Sequence, residues 1–209
     1  VRLGADVPKA FVAVGGRTML ERSVDGLLSS GAIDEVVVVV GADQLDKAAA
    51  LVGPLARIVQ GGAERTDSVR AGLAAVAGAD WILVHDAARP LTPPDMIARI
   101  VAELREGRCA VIPAISVSDT IKSVDSSGDV SGTPDRACLR AVQTPQGFAA
   151  NVLRRAYAAA GDIATDDAAL VEQIGERVHV VEGDRLAFKI TTALDMMLAE
   201  AILSREVAQ

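Results

Sequence analysis

Short apolar runs, rich in β-branched residues and each followed by a segment with helical spacing, constrain this chain more than any other feature. Residues 33–40, 57–60, 81–84, 109–114 and 178–181 read as strands. Between them, Leu20, Val24, Leu27 and Leu28 share one helical face up to Gly31, and Val69, Leu73 and Val76 share another over residues 65–77. Runs that are apolar at successive positions fit strands covered on both faces, and strands alternating with amphipathic helices give βαβ units. The expected class is therefore α/β with a mostly parallel sheet.

Punctuation supports the same order. Residues 1–11 read as a loop entering a short strand. Thr18 and Glu21 have the spacing of a capping box. Asp43 is expected to cap a helix running to Gly53, and residues 92–95 (TPPD) to open one running to about Glu106, with proline at the first helical position. A helix is expected after residues 144–148 (TPQGF), reaching about Ala160. Residues 165–167 (TDD) cap another that ends near Gly175. Residues 187–191 are a strand or extended loop, and residues 193–208 the closing helix.

The composition narrows the function classes. Half of the 209 residues are hydrophobic but only 2% are aromatic, so the interior must be built from Ala, Val, Leu and Ile. That suits close helix–sheet packing better than base-stacking surfaces. The apolar run at 36–40 is far too short to cross a bilayer, and no signal segment opens the chain. Cys109 and Cys138 give neither a disulfide framework nor a zinc ligand set. A net charge of −7 argues against a nucleic-acid scaffold. The expectation is one domain over residues 1–209, soluble and cytoplasmic, with no nucleic-acid or membrane partner.

Function is sought in residues 81–90 (WILVHDAARP). Pro90 cannot continue a central ladder, so the chain leaves the sheet where His85, Asp86 and Arg89 appear. Ligands of open α/β sheets bind outside the carboxyl ends of the strands. An acid there, followed by Ala87 and Ala88 that allow close approach, suits a carboxylate gripping a metal–phosphate pair; it equally suits a residue that opens a turn. His85 and His179 read as packing or hydrogen-bonding residues.

Residues 117–143 break the alternation. Residues 120–124 form a strand with no helix after it, residues 125–129 (DSSGD) are turn chemistry, and Val130 and residues 139–143 read as returning strands. An isolated ribbon is marginal in water. This arm is expected to pack against a second copy of the chain.

Taken together, Pro8-Lys9, residues 61–69 (GGAERTDSV), 85–90 (HDAARP), Asp119-Thr120 with Lys122, 144–146 (TPQ), 165–167 (TDD) and 188–191 (FKIT) resemble the 2-C-methyl-D-erythritol 4-phosphate cytidylyltransferase family over essentially the whole chain. The resemblance implies a Rossmann-like three-layer αβα nucleotidyltransferase with a mostly parallel mixed sheet and a protruding β-arm, and a homodimer joined through residues 117–143. It implies transfer of CMP from CTP to methylerythritol 4-phosphate with release of pyrophosphate, aided by Mg²⁺ or another divalent cation. The family begins with a strand and a glycine-rich loop that wraps the triphosphate. This sequence starts at Val1-Arg2, where that loop ends, so the record is expected to be incomplete.

By the same resemblance, Arg2 and Lys9 stabilise charge on the triphosphate and Asp86 holds the metal. Gly61 and Gly62 let the backbone approach cytosine and ribose, with Arg65 and Ser68 beside them. Ala87 and Arg89 also bind substrate, and Lys189 positions the sugar phosphate. Thr120 and Arg136 reach it from the partner subunit. Asp166 and Asp167 read as helix caps without chemistry. A ribitol 5-phosphate cytidylyltransferase and a non-catalytic nucleotide-binding homologue are the alternatives; a Rossmann dehydrogenase would need a glycine fingerprint that is not visible.

Overall fold

The computed structural model describes residues 7–159 and 166–206. A 3-10 turn at Lys9–Phe11 leads into the hairpin β1 (Ala13–Val14) and β2 (Arg17–Thr18), then α1 (Met19–Ser29). The capping box is formed: Thr18 Oγ1 accepts from the Glu21 N–H at 3.2 Å, and Glu21 accepts from the Thr18 N–H at 2.8 Å. β3 (Val37–Val40) starts later than the apolar run suggests. Asp43 does not cap the helix that follows. It lies in a 3-10 turn, Ala42–Gln44, and α2 (Leu45–Val52) starts after Gln44 with no side-chain cap. β4 (Arg57–Gln60) pairs parallel with β3, and α3 (Arg65–Ala75) leads to β5 (Trp81–Val84).

α4 (Pro94–Arg105) has proline at its first position, as expected. Met96, Ile97, Ile100, Val101 and Leu104 recur at three- and four-residue intervals and are all buried. Each such side chain contributes about 1.5–3 kcal/mol by leaving water, so this face fixes the helix against the sheet. β6 (Ala110–Ser116) is the central strand. β7 (Ser123–Val124) and β8 (Val130–Gly132) form the arm's antiparallel ribbon, and β9 (Arg140–Val142) returns to pair with β6. Asp125 shapes the turn by accepting from the N–H groups of Ser127 and Asp129.

β10 (Gln146–Ala149) is a strand in a stretch to which the sequence assigned no element. It inserts between β5 and β6, antiparallel to both, and this gives the sheet its mixed character. α5 (Ala150–Ala159) and α6 (Asp167–Gln173) follow, Asp166 capping α6 through the Ala169 N–H. β11 (His179–Glu182) pairs parallel with β6, residues 185–187 make a 3-10 turn, and α7 (Ala193–Glu206) closes the chain.

The larger sheet runs β11–β6–β10–β5, with β9 paired to the far end of β6. Ile82 and Val84 face the core beneath α5 and α6, while Leu83 faces α4, so β5 is covered on both faces as its sequence implies. Among the described residues β5 pairs only with β10 and β3 only with β4, and a cavity of about 870 Å³ lies between them. Trp81, which lines that cavity, is 39% exposed.

Candidate active site

The chain turns away from β5 just after Val84, and three segments close on that point. Thr144, at the entrance to β10, accepts from the Asp86 N–H at 3.0 Å through Oγ1. The same hydroxyl lies 3.0 Å from His85 Nδ1. From the other side, the Ile190 N–H donates to the Ala88 carbonyl at 2.8 Å. Ser23 of α1 donates to the Ala87 carbonyl at 3.1 Å. The Asp-Ala-Ala turn is thus fastened through its backbone, which leaves the Asp86 carboxylate free to face the cleft.

Lys189 supplies the partner: its Nζ lies 2.7 Å from Asp86 Oδ2. Burial opposes ionisation of Asp86, yet the hydrogen bond and charge of Lys189, then Arg65 and Arg89, outweigh it and hold the carboxyl below its ordinary pKa. Lys9 reaches the same place from the start of the chain, with Nζ 3.5 Å from the carbonyl of Ile190, the residue next to Lys189. Asp86 and Lys189 thus meet across 103 positions, and Lys9, from the start of the chain, approaches the backbone beside Lys189. His85 stays neutral at physiological pH, because desolvation lowers its pKa to about 4. It is a hydrogen-bonding residue, not a cation of the site.

Other expected residues sit differently. Arg89 spends its guanidinium on protein carbonyls, donating to Ala187 at 2.6 Å and toward Val142 at 3.5 Å, while its buried Nε has no partner. Within the chain these bonds fasten segments together, and the substrate contact expected of Arg89 is not among them. Gly61 and Gly62 are required first by the chain itself. A Cβ on Gly61 would lie 2.6 Å from Ser68 Oγ, and one on Gly62 would lie 2.2 Å from the Asp67 Cβ. Ser68 turns toward the carbonyl of Glu64 at 3.2 Å.

Arg65 pairs with Asp167 at 3.1 and 2.5 Å, a two-pronged contact with a carboxylate that has no exposed surface. Tyr157 also donates to Asp167. Asp167, read from sequence as a cap, is instead a buried charge joining α3, α5 and α6. The Asp167 hydrogen bond raises the Arg65 pKa. No local signal marks Asp167, since its partners are 102 and 10 residues away.

Thr120 and Arg136 lie exposed on the arm, where Arg136 donates to the Ser118 carbonyl at 2.8 Å. The contacts they make within the chain belong to the arm and not to the Asp86 cluster. Arg2 and Thr165 fall outside the described residues.

A divalent cation is compatible with these groups. Mg²⁺ commonly takes only one or two carboxylates and completes its shell with water and phosphate oxygens. The described residues hold no cluster of three or more acids, histidines or cysteines, so Asp86 is the one carboxylate that the Asp-Ala-Ala turn presents for such a role.

An α/β sheet whose strand β5 leads to an acid paired with a lysine, with a second lysine at the neighbouring backbone, suits a phosphate-handling transferase of the nucleotidyltransferase type. The comparisons with known proteins agree. The family described as IspD, 2-C-methyl-D-erythritol 4-phosphate cytidylyltransferase, matches residues 1–205, and the chain belongs to it. A curated relative of that name from Nocardia farcinica is 63% identical over 211 residues, covering 100% of this chain and 91% of the relative. One from Rhodococcus jostii is 62% identical over 203 residues, covering 97% and 90%. The solved 4-diphosphocytidyl-2C-methyl-D-erythritol synthase of Anaerococcus prevotii superimposes with a TM-score of 0.87 at 32% identity, over 97% of this chain and 93% of that one. The Thermus thermophilus cytidylyltransferase gives 0.80 at 36% identity, over 94% of each. No helix among the described residues is long and apolar enough to cross a membrane.

Proposed function

We propose that this chain transfers CMP from CTP to 2-C-methyl-D-erythritol 4-phosphate, giving 4-diphosphocytidyl-2-C-methyl-D-erythritol and pyrophosphate. Family membership sets the reaction, and the convergence of Asp86, Lys189 and Lys9 is the observation that carries it. The nucleophile is a phosphomonoester oxygen with a second pKa of about 6, already ionised at neutral pH, so no general base is needed. The difficulty is electrostatic. Two anions must approach, and negative charge grows on the oxygens of the α-phosphorus during attack.

Catalysis of this kind comes from positioned charge. Lys9 stabilises the charge that develops on the triphosphate. Lys189, oriented by Asp86, holds the sugar phosphate in line. Asp86 would hold a divalent cation, which would supply positive charge to offset the negative charge of the phosphates. Arg65, fixed by Asp167, adds a further positive charge toward Asp86. Thr120 and Arg136 contribute from the partner subunit of a homodimer formed through the arm. Support for that assembly is the arm's exposed apolar side chains, Val124 at 60% and Val130 at 61%. Burying them against a second copy would remove that apolar surface from water.

The test is pyrophosphate release from CTP with each of two acceptors, methylerythritol 4-phosphate and ribitol 5-phosphate. Turnover with the first is expected. A preference for ribitol 5-phosphate would overturn the substrate, and CTP binding without pyrophosphate release would overturn the activity.

A further inference from the structure

We propose that Gln143 is a positioning residue for Lys189, acting through the loop at Gly183 and Asp184 that joins the root of the arm to the site. The claim rests on the CMP-transfer reading above. Gln143 directly follows β9, where the arm rejoins the sheet, and its own N–H donates to the Pro113 carbonyl at 2.8 Å. Its side chain is buried and fully committed to one residue. Nε2 donates to the Asp184 carbonyl at 2.6 Å, and Oε1 accepts from the Asp184 N–H at 3.0 Å. The amide thus acts as a strand partner would, holding both backbone groups of Asp184.

The loop is pressed onto that amide. A Cβ on Gly183 would lie 2.2 Å from Gln143 Oε1 and 3.0 Å from the Ala114 carbonyl carbon, so only glycine passes there. The Gly183 N–H donates to the Ala114 carbonyl at 2.9 Å.

From Asp184 the chain is held in steps up to Lys189. The Asp184 carboxylate accepts from the Leu186 N–H at 2.8 Å, and its carbonyl, already bound by Gln143, accepts from the Ala187 N–H at 3.1 Å. The Ala187 carbonyl takes Arg89, which also leans on Val142 beside Gln143. The Ile190 N–H binds the Ala88 carbonyl, and between these anchors Lys189 meets Asp86. Releasing Asp184 frees the first anchor. It also leaves the part-buried Asp184 N–H without its partner and the carbonyl with Ala187 alone, which costs more than losing an exposed bond.

Two variants test this. Gln143→Met keeps the volume and removes both hydrogen bonds. Gly183→Ala keeps the amide and displaces it, and serves if the first variant does not fold. Each is expected to raise the KM for methylerythritol 4-phosphate about tenfold, the equivalent of one lost hydrogen bond, and to leave the KM for CTP unchanged. Amide hydrogen exchange should accelerate over residues 184–190 and remain slow in α4 and β6. Equal rises in both KM values, or no local change in exchange, would overturn the proposal. A wild-type chain that releases no pyrophosphate would defeat the function reading instead, and the exchange measurement alone would then decide whether Gln143 holds this segment.

Discussion

Lys189 Nζ and Asp86 Oδ2 meet at 2.7 Å across a separation of 103 residues, and the pair sits where β5 ends. The acid orients a cation toward the cleft, and the cation keeps the acid ionised. Asp86→Asn removes both effects. Its turnover is expected to fall about 100-fold, in the range found for losing one positioned charge partner, with little change in melting temperature because the pair is partly exposed. Addition of a chelator should abolish the remaining activity, and restoring Mg²⁺ should recover it; activity indifferent to chelation would remove the metal from Asp86.

Among the described residues, the Lys9 ammonium makes one hydrogen bond, a long 3.5 Å approach to the Ile190 carbonyl. Lys9→Ala should lower kcat by about 100-fold while CTP binding, measured by calorimetry, changes little. A loss in binding without a loss in turnover would contradict a role in the transition state.

The Arg65–Asp167 pair should respond asymmetrically. Asp167 has no exposed surface, whereas the Arg65 side chain is 46% exposed and can rehydrate. Arg65→Ala strands a buried carboxylate and is expected to cost about 3–5 kcal/mol. Asp167→Asn leaves a solvated guanidinium and should cost about 1–2 kcal/mol. Urea unfolding of the two variants measures the difference, and equal costs would mean that Asp167 is reached by water.

Acid should destabilise the fold in a window set by His85. Desolvation lowers its pKa from 6.5 to about 4, so between those values the unfolded chain binds more protons than the native one. Stability therefore rises with pH across that interval, on the order of 3 kcal/mol. Asp86, also depressed, contributes stability above its unfolded pKa that is lost at lower pH, as the pH falls through its folded pKa. His85→Gln should flatten the melting-temperature profile between about pH 4 and 6.5 only; an unchanged slope would show that His85 protonates freely in the native state.

The arm offers a test of assembly. Val124→Lys with Val130→Lys places charge on its two most exposed valines and should convert a dimer to a monomer in sedimentation. Mixed dimers of Lys9→Ala and Arg136→Ala subunits should recover activity that neither homodimer has, provided that the arm of one subunit completes the site of the other.

Local sequence determined much of this protein. Residues 18–21 carry their own capping box, residues 92–95 their own helix start, and the period of apolar residues in α4 its buried face. Asp86 could be placed at a strand end because Pro90 ends the ladder close by. Motifs in family order then implied the chemistry. What the tertiary structure decided are the pairings. β10 has neither alternation nor β-branched residues, and it becomes a central strand because the buried Gln146 amide finds Asp166 and the Ala168 N–H. Asp167 is a buried ion-pair partner and Arg89 a carbonyl clamp for the same reason. Periodicity reports which side of an element meets the core, whereas the partner that satisfies a buried charge or amide lies far along the chain and is chosen only when the layers close.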